Sequence, residues 1–144
     1  MVNADLSNIK KWSEDWLITF IPDKTNIMLF DSRRQGNLSF KFGQTDILSV
    51  DFHAHLSIVF SSDGKWTRYI DYILAKASKQ LYVLRKLKFI LKREILEKNY
   101  LNFIRPLLEY SCEVWDNCSQ MGQDRLEKLQ LKAARIVTGL TVFE

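Results

Sequence analysis

Lys24 sits in the stretch "PDKT", between the apolar runs "LITFI" and "NIMLF". A lysine held at the lip between two strands is either a plain turn residue or a proton donor, because a positioned ammonium can act as a general acid. Other reactive side chains are few. His53 and His55 form an H-x-H pair. On a strand, alternation puts both rings on one face, where they could offer two metal ligands. No third ligand stands near them in the sequence, so the pair reads as partly exposed strand residues. Cys112 and Cys118 are the only cysteines. They lack the tight pairs and additional ligands of a zinc knuckle, and they read as buried, inert thiols in a reduced protein. The chain has no glycine-rich phosphate loop and no adjacent Asp-Asp pair. Two-metal nucleotidyl transfer needs closely placed carboxylates, so no metal site and no cofactor is expected in this chain.

The charge is distributed unevenly. Residues 1–64 carry six Lys/Arg against eight Asp/Glu, residues 65–98 carry ten against three, and residues 99–144 carry five against six. The net charge of +4 is therefore concentrated in the middle of the chain. A contiguous block of this kind suits a polyanion, most simply a nucleic-acid backbone. No apolar run approaches the roughly 18 residues that a membrane span needs. The N-terminal "MVNADLSNIKKW" has no apolar core of a signal peptide. These features predict an intracellular protein, cytoplasmic or nuclear, with no membrane partner.

The elements that must position these residues follow from periodicity. "ADLSNIKKWSEDW" reads as a helix with Ile9, Trp12 and Trp16 at helical spacing and Asp5 or Ser7 as N-cap. "LITFI" and "TNIMLFD" read as strands around a Pro22-Asp23 break, and "SRRQGN" as a turn. "LSFKFG", "DILSVDF" and "HLSIVFS" read as further antiparallel strands, closed by "SSDG". From Lys65 the period becomes helical, with Trp66, Tyr69, Ile70, Ile73, Leu74, Ala77, Leu81, Leu84 and Leu87 on one stripe. A second helix is predicted from Arg93, with Pro106 kinking it or starting the next. "PLLEYSCEVWDNC" then continues helical, and "SQMGQ" is a polar loop before a last helix ending at Gly139. The expected class is α+β: an N-terminal helix with a small antiparallel sheet over residues 1–64, then an all-helical portion over residues 65–144.

The order of these blocks resembles the reverse transcriptases of non-LTR (LINE-like, jockey-like) retrotransposons. "LSNIKKWSEDWLITFIPDKTNIMLF" is similar to the segment that follows the catalytic aspartates in that family. "HLSIVFSSDGKWTRYIDYILAKASKQLYVLRKLK" is similar to its next block, a His-Leu-Gly-Ile turn before a long helix. "LNFIRPLLEYSCEVWDN" and "LEKLQLKAARIVTG" resemble the helical thumb and the segment beyond it. The four blocks span residues 6–141 in the family's order.

The resemblance implies roles. Lys24 would correspond to the lysine proposed there to protonate the pyrophosphate leaving group, here a vestigial general acid. His55, Leu56 and Ile58 would belong to the primer grip. The helix from Lys65 would be the thumb, with Lys76, Lys79, Arg85, Lys86 and Lys88 on the phosphates of an RNA/DNA template–primer hybrid. Ile21 stands where the family usually has asparagine, and Ser57 where it usually has glycine. The paired aspartates that hold Mg²⁺ in that family precede the matched stretch. The resemblance therefore implies the palm end and thumb of an RNA-directed DNA polymerase, without its upstream palm and fingers and without turnover of its own. The alternatives are a non-enzymatic helical interaction module whose exposed apolar faces meet such missing domains, or a functionless transposon relic.

Overall fold

The computed structural model describes residues 2–21, 24–30 and 39–140. They divide into two compact units, one of residues 1–56 with 60–64, the other of residues 57–59 with 65–144. The class is α+β. Among the described residues, no helix is long and apolar enough to cross a membrane. The expected "SRRQGN" turn and the Pro22-Asp23 break lie outside the described residues.

In the first unit, α1 (Val2–Asp15) precedes β1 (Asn26–Ile27), β2 (Phe40–Phe42) and β3 (Thr45–Ser49). The sheet order is β1-β3-β2. β2 runs antiparallel to β3, with Phe42 opposite Thr45, while β1 runs parallel to β3. Phe40, Phe42 and Ile47 are buried, with Leu6, Ile27 and Leu29 packed on them. Asn3 fixes α1 on the sheet: its side-chain N–H donates to the Ser39 carbonyl, and its Oδ1 accepts from the Lys41 N–H.

The helix begins earlier than Asp5, which falls in its first turn, and the chain past it is not a strand. Leu17 adopts a left-handed conformation at φ 55°. Its N–H donates to the Glu14 carbonyl, and the Ile18 N–H donates to the Ser13 carbonyl. This pair of bonds is the Schellman ending, whose left-handed position normally belongs to glycine. The chain turns there, so the apolar letters of "LITFI" have no strand to pair with.

β4 (Phe52–His55) and β5 (Ile58–Ser61) form a hairpin. Its loop is two residues, Leu56 and Ser57, both at positive φ. A type I′ loop requires that sign at both positions and favours Asn and Gly. Ser57 thus occupies a site where glycine would fit without strain.

The second unit is built on α2 (Thr67–Leu87). Seven residues of its apolar stripe, from Tyr69 to Leu84, are buried, against Leu126, Leu129, Ala133 and Ile136 of α6 (Gln120–Thr138) and against the shorter helices. Between them lie α3 (Arg93–Asn99), a π turn (Tyr100–Ile104), α4 (Arg105–Glu109) and α5 (Cys112–Trp115). The π turn lies immediately before Pro106, which has no N–H for an i−4 carbonyl. The Arg105 N–H reaches back five residues to the Tyr100 carbonyl instead, the pattern of a π bulge. "PLLEYSCEVWDNC" is not one helix, because Ser111 is left-handed and separates α4 from α5. "SQMGQ" is not a loop either. Ser119 caps α6 by accepting from the Gly122 N–H, and Gln120 to Gln123 are already helical. Gly139, at φ 76°, ends that helix as the sequence predicts.

Two substitutions test this description. Leu17→Gly relieves a left-handed leucine, and the first unit should gain about 1 kcal/mol. Leu84→Ala opens a cavity beneath α2 and should cost about 2–5 kcal/mol. Urea unfolding followed by far-UV circular dichroism measures both, and a neutral Leu84→Ala would contradict the burial described here.

Candidate nucleic-acid interface

The five cations predicted on α2 do not share a face. At about 100° per residue, Tyr72, Lys76, Lys79, Tyr82 and Lys86 fall within an arc of about 120° on the side away from the buried stripe, and all five are exposed. The Lys76 ammonium lies 4.5 Å from the Tyr72 ring centre, and the Lys86 ammonium lies 5.5 Å from that of Tyr82. Such cation–π contacts hold the amines along the helix surface. Arg85 lies about half a turn around the axis from Lys76. Lys88 continues the line of the buried residues and is half-buried just past the helix end. The exposed arc therefore carries a ladder of three lysines and two tyrosines, with Arg68, Ala75 and Val83 among them, and Arg85 and Lys88 stand outside it.

A second set of cations belongs to α6. Arg125, Lys128 and Lys132 line a groove of about 280 Å³ with Leu74, Ser78 and Leu81 of α2. Arg125 pairs with Asp71 at 2.7 Å. These residues lie outside the basic block, in a region whose acids outnumber its bases. Counting charge by region hides them, whereas their i, i+3, i+7 spacing on one helix face is the signal that could have found them.

The hairpin residues separate. His55 and Leu56 are exposed in the first unit, and Ile58 is buried in the second. Ile58 serves as a core residue there. Lys24 is exposed, and its N–H donates to the Ile21 carbonyl. Thr25 donates its hydroxyl to the same oxygen at 3.2 Å. The His53 ring lies 3.4 Å from the Asn26 side-chain amide, and His55 is exposed beyond it. Among the described residues no group of three or more His, Cys, Asp or Glu could hold a metal ion. The described residues therefore offer no carboxylate cluster of the kind that would hold Mg²⁺.

Beneath the ladder the side chains are pinned. The Tyr110 carbonyl accepts from the Trp115 indole at 2.9 Å and from the Tyr69 hydroxyl at 3.4 Å. The Trp66 indole donates to Asn117 at 2.8 Å. Burial pushes the Tyr69 hydroxyl above its ordinary value; the Tyr110 and Tyr72 phenols add to the rise, and the Trp115 hydrogen bond opposes it. Burial, and then Asp116, raise the Cys118 thiol. A thiol held protonated is a poor nucleophile, and Cys112 is half-buried and also free of any disulfide.

No family model matches the chain, and neither a curated protein nor a solved structure matches it significantly.

Proposed function

We propose that the chain is the palm end and thumb of a reverse transcriptase of the non-LTR retrotransposon kind, and that its own activity is sequence-tolerant binding of an RNA/DNA template–primer hybrid through α2. The observation that carries this reading is the exposed lysine–tyrosine ladder on a helix whose opposite face is fully committed to the core. A rigid helix presents its cations at fixed spacing to a backbone of regularly spaced phosphates. In this reading Lys24 is a vestigial general acid and does not contribute to binding.

A second reading is favoured by α1. The face it turns to the sheet carries Asn3, Leu6, Lys10 and the buried Ser13, while Val2, Ile9, Trp12 and Trp16 are exposed. Trp12 is 48% exposed and Trp16 68%. An apolar stripe facing outward is the mark of an interaction surface. It suits a helical interaction module, and equally the surface that further palm and fingers segments would cover in the first reading.

Anisotropy of a fluorescent RNA/DNA hybrid across a salt series tests the first reading. Micromolar or tighter binding should weaken with salt at a slope of about −3 in log–log form if three lysines meet phosphates. Changing Lys76, Lys79 and Lys86 together to Glu should abolish binding, and Lys24→Ala should leave it nearly intact; equal loss from both would refute the assignment. For the second reading, light scattering should report self-association that Trp12→Ser with Trp16→Ser removes.

A further inference from the structure

Beside the ladder, within the second unit, a cleft of about 320 Å³ opens between α2, the start of α4 and the hairpin tip. Tyr72 and Tyr110 line it with exposed ring surface, Tyr69 is its buried floor, and Pro106 and Leu107 close one side. Lys76 stands at its lip. We propose that this cleft takes one unpaired nucleobase, stacked on the Tyr72 ring with Lys76 on the adjoining phosphate. The inference rests on the nucleic-acid reading above and names the part of the nucleic acid that this site selects.

Three properties point to a base. The walls are flat and aromatic, and stacking on such side chains tolerates any base because every base has a π face. The volume lies at the lower end for ligand sites, the scale of one nucleoside. The charge is of one sign, because Lys76 lines the cleft and no acidic side chain does.

The floor is already committed. Tyr69 donates its hydroxyl to the Tyr110 carbonyl, and its ring lies 6.4 Å from that of Tyr72 at 29°. The cleft therefore offers ring faces rather than a set of base-specific donors, and selection by base identity is not expected. Tyr72 carries the Lys76 ammonium over its ring in the empty cleft. An entering base replaces that cation, which swings to the phosphate. A polyproline segment would also fit an aromatic groove, but the adjoining lysine ladder gives it no complementary charge. Bases inside a duplex are paired and stacked, so the occupant is a frayed or overhanging nucleotide.

The test compares a blunt RNA/DNA hybrid with the same hybrid carrying a short unpaired overhang that contains 2-aminopurine. The overhang should tighten binding about 5- to 100-fold, the range of one base–aromatic stack, and its fluorescence should be quenched on binding. Tyr72→Leu should abolish the difference in affinity between the overhang and blunt hybrids, and Tyr72→Phe should keep that difference. Tyr110→Leu is the second variant, with circular dichroism checking that each is folded. An overhang preference that is absent, or unchanged in both leucine variants, overturns the cleft assignment alone. Binding of a proline-rich peptide that Tyr72→Leu removes, without an overhang preference, also overturns it. Failure of both hybrids to bind the folded protein overturns the nucleic-acid reading and this inference with it.

Discussion

One main-chain oxygen organises the second unit. The Tyr110 carbonyl, at the end of α4, accepts from Trp115 and from Tyr69. A helix end buried without partners would leave carbonyls unsatisfied, and tyrosine and tryptophan can enter a core only when their polar tips find acceptors. Each need is met by the other. The same bonds tie the end of α4 to the buried Tyr69 and Trp115 side chains. Trp66 and Trp115 meet that ring edge-on at 6.3 and 6.0 Å, so the start of α2 and the α4–α5 corner are joined through a single aromatic cluster.

The consequence for α2 is that its faces are assigned without ambiguity. With Tyr69 fixed, the stripe from Ile70 to Leu84 must face the other helices, and the remaining arc must face water. That arc carries Tyr72, Lys76, Lys79, Tyr82 and Lys86. The ladder is thus a geometric result of burying the other side, and its rigidity comes from the core rather than from contacts among the lysines. Surface cations on a flexible segment would lose conformational entropy on meeting a phosphate backbone; on this helix the backbone part of that cost is already met by folding.

The sequence made α2 legible because a long stripe at helical spacing admits one orientation. It also made the α6 ending legible, because Gly139 has no side chain to oppose the left-handed position it occupies. Other features were hidden for identifiable reasons. Leu17 takes a conformation that leucine rarely adopts, so nothing in its letter announces the turn that replaces a strand. The capping role of Ser119 was legible in principle, but the polar letters that follow it resemble a loop. On α1, Ile9, Trp12 and Trp16 mark the helix correctly and say nothing of whether their stripe faces inward. The cation block was visible as composition, but the division that places Arg85 and Lys88 off the ladder, and that adds Lys128 and Lys132 from α6, appears only when residues are set around their axes.

Both units bury some large apolar side chains and leave others bare. The second buries Tyr69, Ile70, Leu84, Ile104 and Trp115 around the aromatic cluster, and leaves Phe89, Ile90 and Phe103 exposed. The first buries Phe40, Phe42 and Ile47, and leaves Trp12, Trp16, Leu17 and Ile18 exposed. Fully covering a bare large apolar side chain contributes about 1.5–3 kcal/mol; these four are already partly covered, so completing their burial would contribute about 4–8 kcal/mol, within the range of the whole stability of a small domain. The first unit's own core is small for the surface it must organise. Its outward tryptophans form an apolar stripe, and covering that stripe would enlarge the small core beneath it.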